Sequence, residues 1–474
     1  MGFFILGIIV LIIGYFTYGK LVEKTFGVEE TRETPANAIN DGVDYVPMSW
    51  PRVFLIQLLN IAGLGPIFGA IQGALFGPAA FLWIALGSVF AGGVHDYFSG
   101  MLSLRHEGKS ISEIVGIYLG EGARKVMRVF SVVLLILVGT VFMMGPVDLL
   151  SNNLKPLGLE SANIWLAIVL GYYFLATVLP VDKIIGKLYP LFGFALIAMA
   201  VGIGGKLIID GYTLPEFTLS SLHPDGLPLW PMLFVTIACG AISGFHATQS
   251  PMMSRCMDNE KEGRRVFYGA MIAEGIIAMI WAAAAMSFFG GVPQLGVALA
   301  EGGGPSGVVD TISKSLLGPV GGVLALLGVI AAPITSGDTA YRSARLTIAD
   351  AVDYDQEPIK NRLLIAVPLF TIGFVLTMVD FDIIWRYFAW SNQTLAMIVL
   401  WASAAFLVKN NKSHWIASAP ATLMTGVSIT YIMMAPEGFK LSSSVAYPVG
   451  AVVAIGALIY FLYKVNKKQE LKNA

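Results

Sequence analysis

Residues Ala238–Met252 read ACGAISGFHATQSPM, and they stand where an apolar run gives way to the basic segment Arg255–Arg265. A helix in hydrocarbon is best built from leucine, isoleucine and valine, yet this stretch holds two glycines, a histidine, a glutamine and a proline. Glycine weakens a helix and proline removes one of its donors. Backbone groups released by such a break cannot face lipid, so the unwound stretch must face protein or a watery cavity. The segment therefore reads as an interrupted span, with freed amides and several polar side chains within reach of a ligand.

The rest of the chain agrees. Of 474 residues 56% are hydrophobic and 13% charged, with mean hydropathy +0.73, against roughly 25% charged in an ordinary soluble domain. This is the composition of an all-α polytopic membrane protein whose partner is the lipid bilayer. The 52 glycines and 23 prolines suit helices that pack closely or break. The two cysteines, Cys239 and Cys256, form no CxxC pair and give a redox or iron–sulfur role no support. The opening run Gly2–Tyr18 lacks a basic n-region and a small-residue cleavage site, so it reads as a retained helix. No P-loop, dinucleotide fingerprint or basic domain is present, which argues against an ATP-driven pump, a bound cofactor or a nucleic-acid partner.

About twenty apolar residues cross a bilayer. That length marks thirteen spans, near 2–20, 53–77, 80–101, 129–150, 161–180, 187–209, 229–250, 266–290, 318–338, 363–380, 383–407, 414–434 and 444–463. Between 290 and 318, GGVPQLGVALAEGGGPSG has room for a short re-entrant or surface segment. Cytoplasmic loops collect lysine and arginine. With the N-terminus outside and the C-terminus in the cytoplasm, 25 of the 30 basic residues fall inside, all but Lys155, Lys206, Lys314, Arg386 and Lys440. The location predicted is a prokaryotic cytoplasmic (inner) membrane.

A second interrupted span is NIAGLGPIFGAIQGALFGP, Asn60–Pro78, broken at Gly63, Gly65 and Pro66. Four helices follow each break. The predicted order is a leading helix (1–25), a five-helix repeat (50–210), a second repeat (229–407), two further helices (414–463) and a cytoplasmic tail (464–474). Five is odd, so the second repeat must insert upside down. Such five-plus-five inverted repeats with two discontinuous helices place the binding site of many secondary transporters at the paired breaks. Half-helix amino ends also favour anions. The expected substrate contacts are Gly63, Leu64, Gly65 and Pro66 in the first break, and Gly240, Ser243, Gly244, His246, Thr248 and Gln249 in the second.

Ionisable groups inside spans mark candidates for coupling or gating. His246 can exchange a proton near neutral pH or serve as a packed polar group, and Ser243 and Thr248 can bond back to helices. His95 and Asp96 are adjacent, so they point about 100° apart on a helix and cannot both face one small ligand. They can share a network with other helices, or Asp96 can pair with Arg105 at an inner gate, while His106 and Glu107 belong to the watery loop. Glu274, nine residues beyond Arg265, fits a proton carrier, a fixed hydrogen bond or a wet vestibule. In APITSGDTAYRSARLTIAD, Ala332–Asp350, the oxygens of Thr335, Ser336 and Asp338 suit a sodium ion, whereas Asp338 and Arg342 also have the i,i+4 spacing of a helical ion pair. Asp148 marks a polar outer end or vestibule and fixes no role. No HExxH, G-x-S-x-G or zinc-spaced His/Cys/carboxylate cluster suggests an enzyme.

LNIAGLGPIFGAIQGALFGP, WIALGSVFAGGVHDYFSGMLSLRHEGKSISEIVG, GFHATQSPMMSRC and TSGDTAYRSARLTIAD together resemble the carbon starvation CstA family. The resemblance covers nearly the whole chain, although the chain is shorter than the longer enterobacterial members. It implies inner-membrane uptake of peptides or pyruvate by proton-coupled symport on a five-plus-five scaffold. The expected partner is a small organic carboxylate or short peptide, carried with a proton. The alternatives are a sodium-coupled peptide or amino-acid transporter and a non-transporting nutrient sensor.

Overall fold

The structure is a computed structural model, and it describes residues 1–42, 44–153, 158–178, 189–356 and 358–473. The expected helix ends at 179–180 and 187–188, and the basic residues Lys155, Lys183 and Lys187, lie outside the described residues. Helices dominate throughout: α1 (Gly2–Phe26), α2 (Trp50–Ile61), α3 (Gly65–Gly73), α4 (Ala79–Arg105), α5 (Ile111–Leu119), α6 (Glu121–Asn153), α7 (Ala162–Val178) and α8 (Tyr189–Ile209). They continue with α9 (Gly244–Ser254), α10 (Glu260–Phe288), α11 (Val292–Glu301), α12 (Gly304–Val352), α13 (Ile359–Leu376), α14 (Phe381–Lys409), α15 (Trp415–Met434) and α16 (Ser443–Asn473).

Among the described residues ten helices are long and apolar enough to cross a bilayer, or eleven when α2 and α3 count as one bent span. Thirteen is therefore more than spanning length alone supports. The difference lies in α7, whose described part is only 17 residues long, and in the stretch from 229 to 254, which is broken into pieces too short to cross. The stretch from 290 to 318 is helical: α11 lies there, and the first part of α12 precedes a kink at Gly318 (φ +60°) followed by Pro319.

The first break forms at Gly63–Pro66 as expected, and the second centres on Gly240 and ends at Gly244, whereas Pro251, also expected to interrupt the helix, lies inside α9. α2 ends at Ile61 and α3 starts at Gly65 with Pro66 in its first turn, bent by 49°. Proline is tolerated there because a first-turn donor has no helical partner. In the second break, short helical pieces over 229–236 stop at Ile237, and α9 begins after Ser243. Gly240 between them has φ +89°, and a β-carbon there would lie 2.6 Å from that of Ala278. A β-carbon on Gly65 would collide with Cys239, so the backbones of the two breaks are packed against each other. Around them stand α4, α6, α10, α12 and α14, whereas α1 and α16 expose most of their surface, as lipid-facing helices do.

Candidate functional site

Where the breaks meet, four fully buried ionisable side chains form a line. His95 Nδ1 is 2.7 Å from Asp96 Oδ1, and the other carboxylate oxygen, Oδ2, is 2.8 Å from His246 Nδ1. The far ring nitrogen of His246 lies 3.2 Å from Glu274 Oε2, at an angle poor for a hydrogen bond. All four side chains have no exposed surface. An adjacent His and Asp can join this line because each oxygen of Asp96 takes a different partner. Asp96 does not pair with Arg105; Arg105 donates instead to Glu260, through Nε at 2.6 Å and Nη2 at 3.0 Å. His106 is half-buried, with Nε2 2.8 Å from the Tyr118 hydroxyl, so it lies at the edge of the protein rather than in open water.

The sequence shows no metal-spaced cluster, yet the fold brings Cys239, His246 and Glu274 together, one donor atom of each within 4.8 Å of the others. Two come from the second break and one from the neighbouring α10, which is why spacing along the chain did not reveal them. The thiol of Cys239 donates to Ser243 Oγ at 3.3 Å.

The second break is held open by groups from other elements. Trp83 Nε1 donates to the Ile237 carbonyl at 3.1 Å, Ser88 Oγ to that of Gly240 at 2.9 Å, and Gln393 Nε2 to that of Phe234 at 2.7 Å. Asn392 Oδ1 accepts from Ser243 Oγ and from the Phe245 amide, both at 2.8 Å, and so caps α9 from the adjacent helix. Of the predicted contacts, Ser243 is thus committed to Asn392, and the Thr248 hydroxyl donates to the Phe245 carbonyl at 2.6 Å. Gln249 donates to Thr248 Oγ1 at 3.0 Å, while its own Oε1 is buried without a protein partner. Gly63 packs under Phe142, and Gly244 lies against the Asn392 and Ala396 backbone. In the first break, the Leu64 carbonyl accepts from the amide of Phe68 at 2.8 Å.

The α12 candidates lie apart from this line. Thr335 and Ser336 donate to the Ala332 carbonyl at 2.7 and 3.2 Å, and Ser336 Oγ also sits 3.4 Å from the Leu59 carbonyl of α2. Arg342 Nη2 is 3.4 Å from Asp338 Oδ2, one turn away. Asp148 lines an acidic recess of about 400 Å³ with Asp380 and Asp382. The sequence reading did not single out Asn392, Gln393, Ser88 or Trp83. The run WSNQT, Trp390–Thr394, carried the available signal, since four consecutive polar residues inside an apolar helix need buried partners.

An all-α membrane scaffold with two broken helices packed face to face is the architecture of a secondary transporter. It is similar over 93% of this chain, and 96% of the other, to the inward facing conformation of Mhp1, with TM-score 0.55 at 15% identity; at that identity the likeness is one of fold. The chain belongs to the family described as Carbon starvation protein CstA, whose pattern matches residues 1–160 and 151–292, and this is a family of transporters rather than enzymes. An uncharacterized membrane protein of Haemophilus influenzae is 44% identical over 352 residues, 64% of this chain and 95% of that protein. The peptide transporter CstA of Campylobacter jejuni is 24% identical across 98% of this chain and 84% of its own length. The pyruvate/proton symporter BtsT of Escherichia coli is 28% identical over 57% of this chain; the match spans about half, 47%, of that longer protein.

Proposed function

We propose that the protein imports a small carboxylate-bearing solute, pyruvate-like or a short peptide, together with protons by alternating access across a bacterial inner membrane. The observation that carries this reading is the buried line His95–Asp96–His246–Glu274 at the meeting of the two breaks. In it the residues 50–210 and 229–407 act as inverted repeats, and the line joins one repeat to the other. Amides around Gly63–Pro66 and Gly240–Gln249 receive the carboxylate, and Gln249, with its unpartnered buried oxygen, orients the rest of the solute. Protonation of Glu274 or His246 favours closure of the outer side, and deprotonation toward the cytoplasm favours release. Coupling requires that proton and solute together bind one conformation better, not merely that both bind.

A sodium-coupled version would draw on Thr335, Ser336 and Asp338. The carboxylate among them, Asp338, already meets the Arg342 cation, which favours the proton. The test is pyruvate uptake into liposomes under an imposed inward proton gradient, with and without sodium and with competing dipeptides. Proton-driven accumulation blocked by excess pyruvate but not by dipeptides supports the monocarboxylate. Dipeptide-induced proton entry points to peptides, a strict sodium requirement refutes proton coupling, and binding without flux points to a sensor. Glu274→Gln should abolish gradient-driven uptake and spare solute exchange; unchanged driven uptake removes Glu274 from the mechanism.

A further inference from the structure

Away from the breaks, a groove of about 790 Å³ opens between α5, the start of α6, the end of α14 and α16. Its walls include Tyr118, Val126, Trp401, Ala405 and Phe461, and its rim carries Lys409 and Lys464. The polar atoms of the two largest wall residues point elsewhere: the Tyr118 hydroxyl is 2.8 Å from His106 Nε2, and Trp401 Nε1 donates to Thr425 Oγ1 at 3.1 Å. What remains toward the groove is mostly ring face and aliphatic carbon. Val126 is 51% exposed and Tyr460, also on the wall, 63%, so the cleft opens outward from the helix bundle, toward the bilayer.

The rim differs from the walls. Lys409 Nζ lies 5.4 Å from the centre of the Tyr118 ring, and Lys464 Nζ lies 5.4 Å from that of Tyr460. Each aliphatic stem runs along apolar surface and presents its ammonium at the edge, as snorkelling lysines do. Among the described residues neither ammonium has a carboxylate within ion-pair distance, and Lys412 and Lys467 add charge at the same end of the helices. Positive charge above an oily cleft complements one abundant molecule of the surrounding membrane.

We propose that this groove is a binding site for an anionic phospholipid, with acyl chain against Trp401 and Phe461 and headgroup phosphate between Lys409 and Lys464. Basic pockets between transmembrane helices select anionic headgroups in this way. The lipid bridges α5 and α14 to the outer helix α16, so its loss loosens a seam that the protein's own side chains do not fill.

The test uses the full-length protein, purified and delipidated in detergent, with phosphatidylglycerol or phosphatidylcholine of identical acyl chains added back. Retention is counted by native mass spectrometry, and thermal unfolding is followed in parallel. Phosphatidylglycerol should be retained preferentially and raise the unfolding temperature more. Each lysine near an anionic headgroup is worth roughly fivefold in affinity, so Lys409→Gln with Lys464→Gln should lower phosphatidylglycerol retention by roughly 25-fold and leave phosphatidylcholine unaffected. Lys20→Gln, on α1 and not among the groove's lining residues, should change neither. Brominated-chain phosphatidylglycerol should quench a fluorescence component that Trp401→Phe removes. Equal retention of the two lipids, or full preference in the Lys409/Lys464 double variant, overturns the proposal.

Discussion

Replacing Asn392 by alanine probes how the second break is maintained. The side chain has no exposed surface. It accepts from the Ser243 hydroxyl and the Phe245 amide and donates to the Phe388 carbonyl at 3.1 Å. Alanine leaves two buried donors without an acceptor, each at about 1–3 kcal/mol. The Ser243 hydroxyl can turn toward Cys239, so the amide of Phe245 bears most of the loss, and the net destabilisation should be about 2–4 kcal/mol. Thermal unfolding in detergent should show a clear drop in midpoint. Ser243→Ala alone should cost less, because it removes a donor together with its bond, and the pair should show a coupling of about 1 kcal/mol in a double-mutant cycle. Since the same cap orients the start of α9, solute half-saturation should rise in Asn392→Ala. An unchanged midpoint, or strict additivity with Ser243→Ala, would show that the Asn392 cap does not hold the break.

Asp96→Asn should abolish proton-driven accumulation and leave solute exchange measurable in liposomes, because both histidines lose the carboxylate between them; unchanged driven uptake refutes the relay. Glu260→Gln removes the charge that Arg105 meets at a carboxylate with no exposed surface and should cost about 3 kcal/mol in thermal unfolding. Gly65→Ala should cost about 1–3 kcal/mol through the collision with Cys239, and a wild-type midpoint would mean the breaks are not packed so closely. Burial lowers the pKa of His106 below its usual 6.5. The unfolded chain then binds more protons than the native one, so stability should rise with pH through that region and fall on acidification. His106→Gln should flatten the dependence.

The positions of the breaks were legible because glycine and proline act on the backbone within a residue or two. Gly63–Pro66 and Gly240–Gly244 needed no knowledge of neighbours, whereas Pro251 interrupts nothing and lies inside α9. The partners were not legible in the same way. Ser243 and Asn392 are 149 positions apart, and Arg105 and Glu260 are 155 apart; helical phase says which face a residue occupies, not which helix will meet it. Proximity along the chain suggested Arg105 as the partner of Asp96, and the packing of α9 against α4 supplied His246 instead. Counting spans by hydropathy treated broken and whole helices alike, hence thirteen where ten or eleven have spanning length.

The carbonyls of Phe234, Ile237 and Gly240 rest on protein side chains, Gln393, Trp83 and Ser88. An unwound stretch secured from three sides does not behave as a loop awaiting its guest. Its ordering entropy was settled when the chain folded, so binding is not taxed by it. The residues from 237 to 243 should then resist hydrogen exchange in the solute-free protein about as well as the helices on either side. Affinity at this junction would then depend on groups that no solute touches as well as on those it meets.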